Sequence, residues 1–145
     1  IVEIRPYTEH QFDECVAVFM SNRDKYFADH ELEEFKLYLR KETLKDSYFC
    51  VYKGNQVIGC GGFSKEDNEV FLTWGMIRRD LHKQGYGKTL TKFRMKAIRE
   101  KYPNTPIIIN TAQFTKGFYE KQGFKTKAFK KNGFGSGLDK YTMTD

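Results

Sequence analysis

Three β-rich runs follow one another between residues 47 and 77 with only short turns between them, and this meander constrains the fold more than any other feature. Tyr48-Phe49-Cys50-Val51-Tyr52 and Gln56-Val57-Ile58-Gly59-Cys60 are separated by Lys53-Gly54-Asn55, a hairpin signal. A second turn, Glu66-Asp67-Asn68, leads into Glu69-Val70-Phe71-Leu72-Thr73-Trp74-Gly75-Met76-Ile77, a long strand interrupted by a glycine near its end. Turns this short join antiparallel neighbours. Gly59, Gly61 and Gly62 predict close backbone approach or bulging in the second arm.

Everything else has to pack on that sheet. Ile1 to Tyr7 alternates as a short strand, and Thr8 with Gln11 forms a capping signal for a helix carrying Phe12, Cys15, Val16 and Phe19, which is expected to end near Ser21-Asn22. Lys25-Tyr26-Phe27 is expected to connect it to a second helix, from Asp29 or His30 to about Glu42. After the meander, Tyr86, Leu90, Phe93 and Ala97 predict one buried helical stripe that stops before Pro103. A buried strand over Pro106 to Asn110, a short helix over Lys116 to Gln122 and strands over Phe124 to Lys130 and Leu138 to Thr144 complete the order. Between the last two strands, residues 132–137 read as a flexible glycine-rich loop. This is an α/β (α+β) layer with helices on a mixed sheet. At 145 residues, with 39% hydrophobic content, the chain suffices for one core and is short for two, so residues 1–145 are expected to form a single domain.

The loop His82-Lys83-Gln84-Gly85-Tyr86-Gly87-Lys88-Thr89 lies between the meander and the helix. A Walker A loop needs glycine where His82 stands, and a dinucleotide fingerprint needs glycine where Leu90 stands, so both fail. The remaining geometry still presents free backbone N–H groups at a helix N-terminus, where phosphate oxygens are favoured. Gly85 and Gly87 let a pyrophosphate approach without meeting a Cβ.

Leu72 to Ile77, then HKQGYG, then Phe118-Tyr119-Glu120-Lys121-Gln122-Gly123-Phe124 together resemble the GNAT N-acetyltransferase superfamily, with its splayed strand, R/Q-x-x-G-x-G/A loop and FYEK-x-GF element. The resemblance covers the whole element order. It implies a mixed central sheet of about six to seven strands, splayed at the fourth and fifth and flanked by about four helices. It also implies acetyl-CoA as co-substrate, with no metal, its pyrophosphate held by backbone amides of Gln84, Gly85, Tyr86, Gly87 and Lys88. Met76 and Ile77 would hydrogen-bond the pantetheine arm, and Tyr119 takes the general-acid position. The sequence departs from the pattern in three places. His82 replaces the usual Arg or Gln of the cofactor loop; the usual asparagine before the FY element is absent, leaving Gln113 as the nearest CoA contact; and Phe71 stands where some members carry a basic glutamate, for which Glu69, on the same strand face, is the candidate substitute.

An alkyl amine is protonated near neutrality, with a pKa of ~10.4, so acyl transfer to it needs a proton acceptor, and Glu69 is the expected one. Tyr26, Phe27 and Phe134 are aromatics suited to an acceptor pocket, with Trp74 as core or cleft wall. The expected reaction moves an acetyl group to a primary amine on a small molecule or peptide by direct attack in a ternary complex. The alternatives are a CoA-binding regulatory module without chemistry and an acyltransferase with another donor. A net charge of +6 fits an anionic ligand, but the lysines are not organised as a recognition helix, which disfavours nucleic acid. The three cysteines lack metal spacing and read as buried free thiols. No apolar run is long enough to span a bilayer, and Ile1-Val2-Glu3-Ile4 does not read as a secretory signal, so a cytoplasmic location is expected, with a homodimer as the default assembly.

Overall fold

In the computed structural model, which describes residues 1–145, the chain runs through β1 (Glu3–Pro6), α1 (Phe12–Tyr26), α2 (Glu31–Lys41), β2 (Ser47–Lys53), β3 (Gln56–Glu66), β4 (Glu69–Ile77), α3 (Tyr86–Lys101), β5 (Ile107–Thr111), α4 (Lys116–Lys121), β6 (Lys125–Gly135) and β7 (Leu138–Thr144). One seven-stranded sheet has the order β1-β2-β3-β4-β5-β7-β6. The meander β2-β3-β4 is antiparallel as expected, and β4–β5 is the parallel pair that makes the sheet mixed. Four helices flank it. None is long and apolar enough to cross a membrane.

Strand alternation divides the core into two layers. Tyr48, Cys50, Cys60 and Met76 face α1 and α2, where they pack with Cys15, Val18, Phe19, Phe35 and Leu39. On the other face Val70, Leu72, Ile107 and Ile109 pack with Ile98 of α3, Tyr119 of α4 and Phe124. Each large apolar side chain taken fully out of water contributes about 1.5–3 kcal/mol, so both layers are needed to hold the helices on the sheet. All three cysteines are buried and free.

Several boundaries differ from the sequence expectation, each for a tertiary reason. The capping box of Thr8 and Gln11 is present, but α1 continues past Ser21-Asn22 to Tyr26. Asn22, a residue that favours helix ends, is instead buried, its Nδ2 donating to Val18 O at 3.0 Å and to Ile77 O at 2.9 Å. Lys25 and Tyr26 are therefore helical rather than connecting. β3 runs on past Cys60 because β2 pairs with it as far as Phe63 and β4 as far as Glu66. Residues 132–137 are the end of β6 and its turn into β7 rather than a flexible loop. Asn132 and Asp139 stitch that turn, with Gly137 N–H donating to Asn132 Oδ1 and Asn132 N–H to Asp139 Oδ1, both at 2.9 Å. The buried stripe of α3 is Leu90, Thr91, Arg94 and Ile98, displaced from the expected Tyr86, Leu90, Phe93 and Ala97, and Phe93 lies exposed. An arginine on the buried face contradicts its general preference for water, and the recess that admits it is built by distant glycines.

Candidate active site

Two local irregularities in β4 open the site. Its register with β3 pairs Gly62 with Thr73 and Cys60 with Met76, so Trp74 and Gly75 together oppose Gly61 in a bulge, with Trp74 at φ 42°. Gly62 is required there, because a Cβ would lie 2.0 Å from Ser47 O. On its other edge β4 pairs with β5 only at Val70↔Ile107 and Phe71↔Ile108, after which the strands part. A cleft of about 1070 Å³ fills the gap, with walls from α1, α2, β4, α3, β5, α4 and the β6–β7 hairpin.

One end of the cleft is the start of α3. Gly85 caps the helix at φ 90°, a left-handed conformation that favours glycine, and the first helical bond runs from Thr89 N–H to Gly85 O at 3.0 Å. The N–H groups of Gln84, Gly85, Tyr86, Gly87 and Lys88 enter no backbone hydrogen bond, which leaves a row of donors at a positive helix end. Gly85, Gly87 and Lys88 line the cleft, whereas the Gln84 and Tyr86 side chains do not, so those two can act through their backbone alone. The His82 ring also lines the cleft, but its Nε2 is engaged with Ile77 O at 2.8 Å and Tyr26 meets it edge-on at 5.3 Å. That contact ties the loop to the end of β4.

Met76 and Ile77 border the gap. Arg78 N–H donates to Ile58 O at 2.7 Å, and alternation along the strand therefore turns the N–H and C=O of Ile77 toward the gap. The Asn22 amide and His82 occupy that carbonyl, leaving the Ile77 N–H as the donor at mid-cleft. Tyr119 lines the same space, with its ring held by edge contacts to Phe118 at 5.0 Å and Phe124 at 5.8 Å.

The cleft is also lined by Tyr26, Phe27, Trp74 and Phe134, the four aromatics expected at an acceptor pocket, with Tyr26 against His82 at the loop. It also holds the carboxylates of Glu31, Glu42, Asp46 and Glu66, none anticipated from the sequence. Burial raises the Glu31 carboxyl above the ordinary carboxylate range against the opposing pull of its bond from Ala28 N–H, 2.8 Å long. Burial raises Asp46 as well, with Ser64 opposing. Beside Asp46, the Tyr38 hydroxyl lies 3.0 Å from Thr73 Oγ1 of the bulged strand.

Two expected residues stand apart from this assembly. Glu69 begins β4 at its turn with β3, at the opposite end from Ile77; its Oε2 pairs with Lys127 at 3.3 Å and it does not line the cleft. Phe71, two residues on, and Glu66, opposite it on β3, both line the cleft, but the Glu69 carboxylate is taken up by Lys127 instead. Gln113 is likewise outside, with its amide spent on Gly137 O at 2.8 Å and Asp139 N–H at 2.9 Å, where it ties the β5–α4 connection to the last hairpin. Of the residues that sequence reasoning missed, Asp46 and Glu31 are carboxylates like many others, and no local signal distinguishes them. Arg94 had a signal in its helical spacing from Leu90 and Ile98, which its charge outweighed.

Solved structures share this fold over nearly all of the chain. A GNAT-family protein from Desulfovibrio desulfuricans superposes with a TM-score of 0.84 at 16% identity, covering 100% of this chain and 98% of its own. A GNAT-family acetyltransferase from Elizabethkingia anophelis, solved with acetyl-CoA bound, gives 0.74 at 20% identity, covering 99% and 96%. The ribosomal-protein-S18-alanine N-acetyltransferase of Escherichia coli gives 0.82 at 11% identity, covering 99% and 92%. No curated protein sequence matches significantly. The family model of the acetyltransferase (GNAT) domain matches residues 8–144, and with the splayed β4–β5 pair and the amide-rich start of α3 already in place, the chain belongs to the GNAT acetyltransferase family.

Proposed function

We propose that the protein transfers an acetyl group from acetyl-CoA to a primary amine of a small molecule or peptide, by direct attack within a ternary complex. The observation that carries this reading is the row of free N–H groups at Gln84 to Lys88 opening onto the same cleft as Tyr119. Those amides suit a pyrophosphate, and the unpaired edge of β4 suits the amide-bearing pantetheine arm. The four carboxylates in the cleft favour a cationic acceptor, which must lose a proton before it attacks.

Asp46, in place of Glu69, takes that proton directly or through water. Its carboxyl is raised toward the working pH, which favours a general base. The amine nitrogen bonds to the thioester carbon, and the Ile77 N–H supports the charge that develops on the carbonyl oxygen. As the C–S bond breaks, Tyr119 gives its proton to the departing thiolate.

The test has two stages. Acetyl-CoA at about 100 times its Kd should stabilise the fold by about 2.7 kcal/mol, and acetylated pantetheine, which lacks the pyrophosphate, should do so far less. Equal stabilisation by both would remove the loop from the site. A thiol-release screen across diamines, amino acids and peptides then identifies the acceptor, and saturable binding with no turnover on any amine would reduce the protein to a CoA-binding module.

A further inference from the structure

Arg94 is a buried cation with no carboxylate beside it. It is 1% exposed, yet none of the ion pairs in the structure includes it. Its Nη1 donates to Gly62 O at 3.2 Å, and its Nε is buried without an acceptor. The recess that holds it is built from the bulge: a Cβ on Gly75 would lie 2.6 Å from Nη2 and 2.9 Å from Nη1, and one on Gly61 would lie 3.2 Å from Nη1. A guanidinium does not shed its proton in proteins, and an unpaired charge away from water is costly. This one borders the cleft, so an anion entering the cleft can complete it.

The position of Arg94 says with which substrate that anion comes. It lies on α3, about two turns past the cofactor loop, on the sheet face away from α1 and α2. The four cleft carboxylates come instead from α2, the segment between α2 and β2, and β3, and they repel an anionic acceptor. A planar fork of N–H donors matches a carboxylate in particular.

We propose that the donor range extends beyond acetyl-CoA to CoA monothioesters of dicarboxylic acids, with Arg94 binding the distal carboxylate of the acyl chain. This rests on the reading of a CoA thioester as donor. The reaction is unchanged: the C–N bond forms, the C–S bond breaks, one proton leaves the amine and one reaches the thiolate, and the distal carboxylate takes no part in bond exchange.

Titration calorimetry with CoA, succinyl-CoA and butyryl-CoA tests it, because the last two share chain length and differ in the carboxylate. The wild type should bind succinyl-CoA at least tenfold more tightly than butyryl-CoA. Arg94→Met, and Gly75→Ala, whose new methyl displaces the guanidinium, should bring that ratio to one or below while the Kd for CoA itself stays within twofold. A wild-type ratio near one overturns the inference, as does a ratio the substitutions leave intact; if neither variant folds, the wild-type ratio alone decides. Failure of CoA to bind the wild type would instead bring down the donor reading, and the inference with it. Glycine and glycinamide, compared as acceptors with acetyl-CoA, form a second arm. A preference for glycine that Arg94→Met abolishes would assign the carboxylate to the acceptor and overturn the donor assignment.

Discussion

Replacing Tyr119 by Phe removes one oxygen from a residue whose position does not depend on it. The ring is buried, T-shaped contacts with Phe118 and Phe124 hold it, and its backbone carbonyl accepts from Phe124 N–H at 3.0 Å, while the hydroxyl has no hydrogen-bond partner within the protein. Folding stability should therefore change by no more than about 0.5 kcal/mol. Acetyl-CoA should stabilise the variant as it does the wild type, since the loop at Gln84 to Lys88 is untouched. A general acid contributes roughly 100-fold or more, about 2.7 kcal/mol of barrier, so kcat should fall by at least ~100-fold with KM for acetyl-CoA nearly constant. Steady-state thiol release on the best amine, with thermal melts with and without acetyl-CoA, measures all three quantities. A kcat within about twofold of wild type in a folded, acetyl-CoA-binding variant would show that the thiolate leaves without Tyr119, and the acid role would have to be given up.

Asp46→Asn should lower kcat/KM for the amine by about 100-fold and remove the acid limb of its pH profile, which in the wild type should lie above the ordinary aspartate value of 3.8. An unchanged limb would point to another group. Glu31 acts on stability rather than chemistry. Its folded carboxyl is raised above 4.5, so its contribution is fully present below that pH and is lost as pH rises through the folded value. Glu31→Gln, whose amide oxygen can still accept from Ala28 N–H, should accordingly raise the urea midpoint more at pH 7 than at pH 4, and the opposite order would refute the assignment. Gly62→Ala should destabilise by about 3 kcal/mol, because its methyl would meet Ser47 O and Tyr48 Cα, both backbone atoms that cannot swing aside. A denaturation midpoint close to wild type would mean that the bulge relaxes more freely than its geometry implies.

The meander, the capping box at Thr8 and the glycine loop before α3 were legible in the sequence because each is set by neighbours within a few residues. Turn glycines, alternation and helix starts are local physics, and so β4 was placed at Glu69–Ile77 and α3 immediately after its glycines. The linear motif likewise located Tyr119 and the amide-bearing turn. What failed depended on partners far away in the chain. Asn22 stays helical because Ile77, on another element, accepts its amide proton; Gln113 is drawn off by the last hairpin; Glu69 is taken up by Lys127 of β6. Arg94 is buried through the absence of two side chains, at Gly61 and Gly75, whose importance shows only when β3 and β4 are paired and α3 is laid beneath them. The sequence by itself thus determined the order of elements and the glycine loop that starts α3, both products of short-range geometry. Which carboxylates line the cleft, and the lone cation beside the bulge, were decided by tertiary structure, because burial and charge pairing are properties of what surrounds a residue rather than of the residue itself.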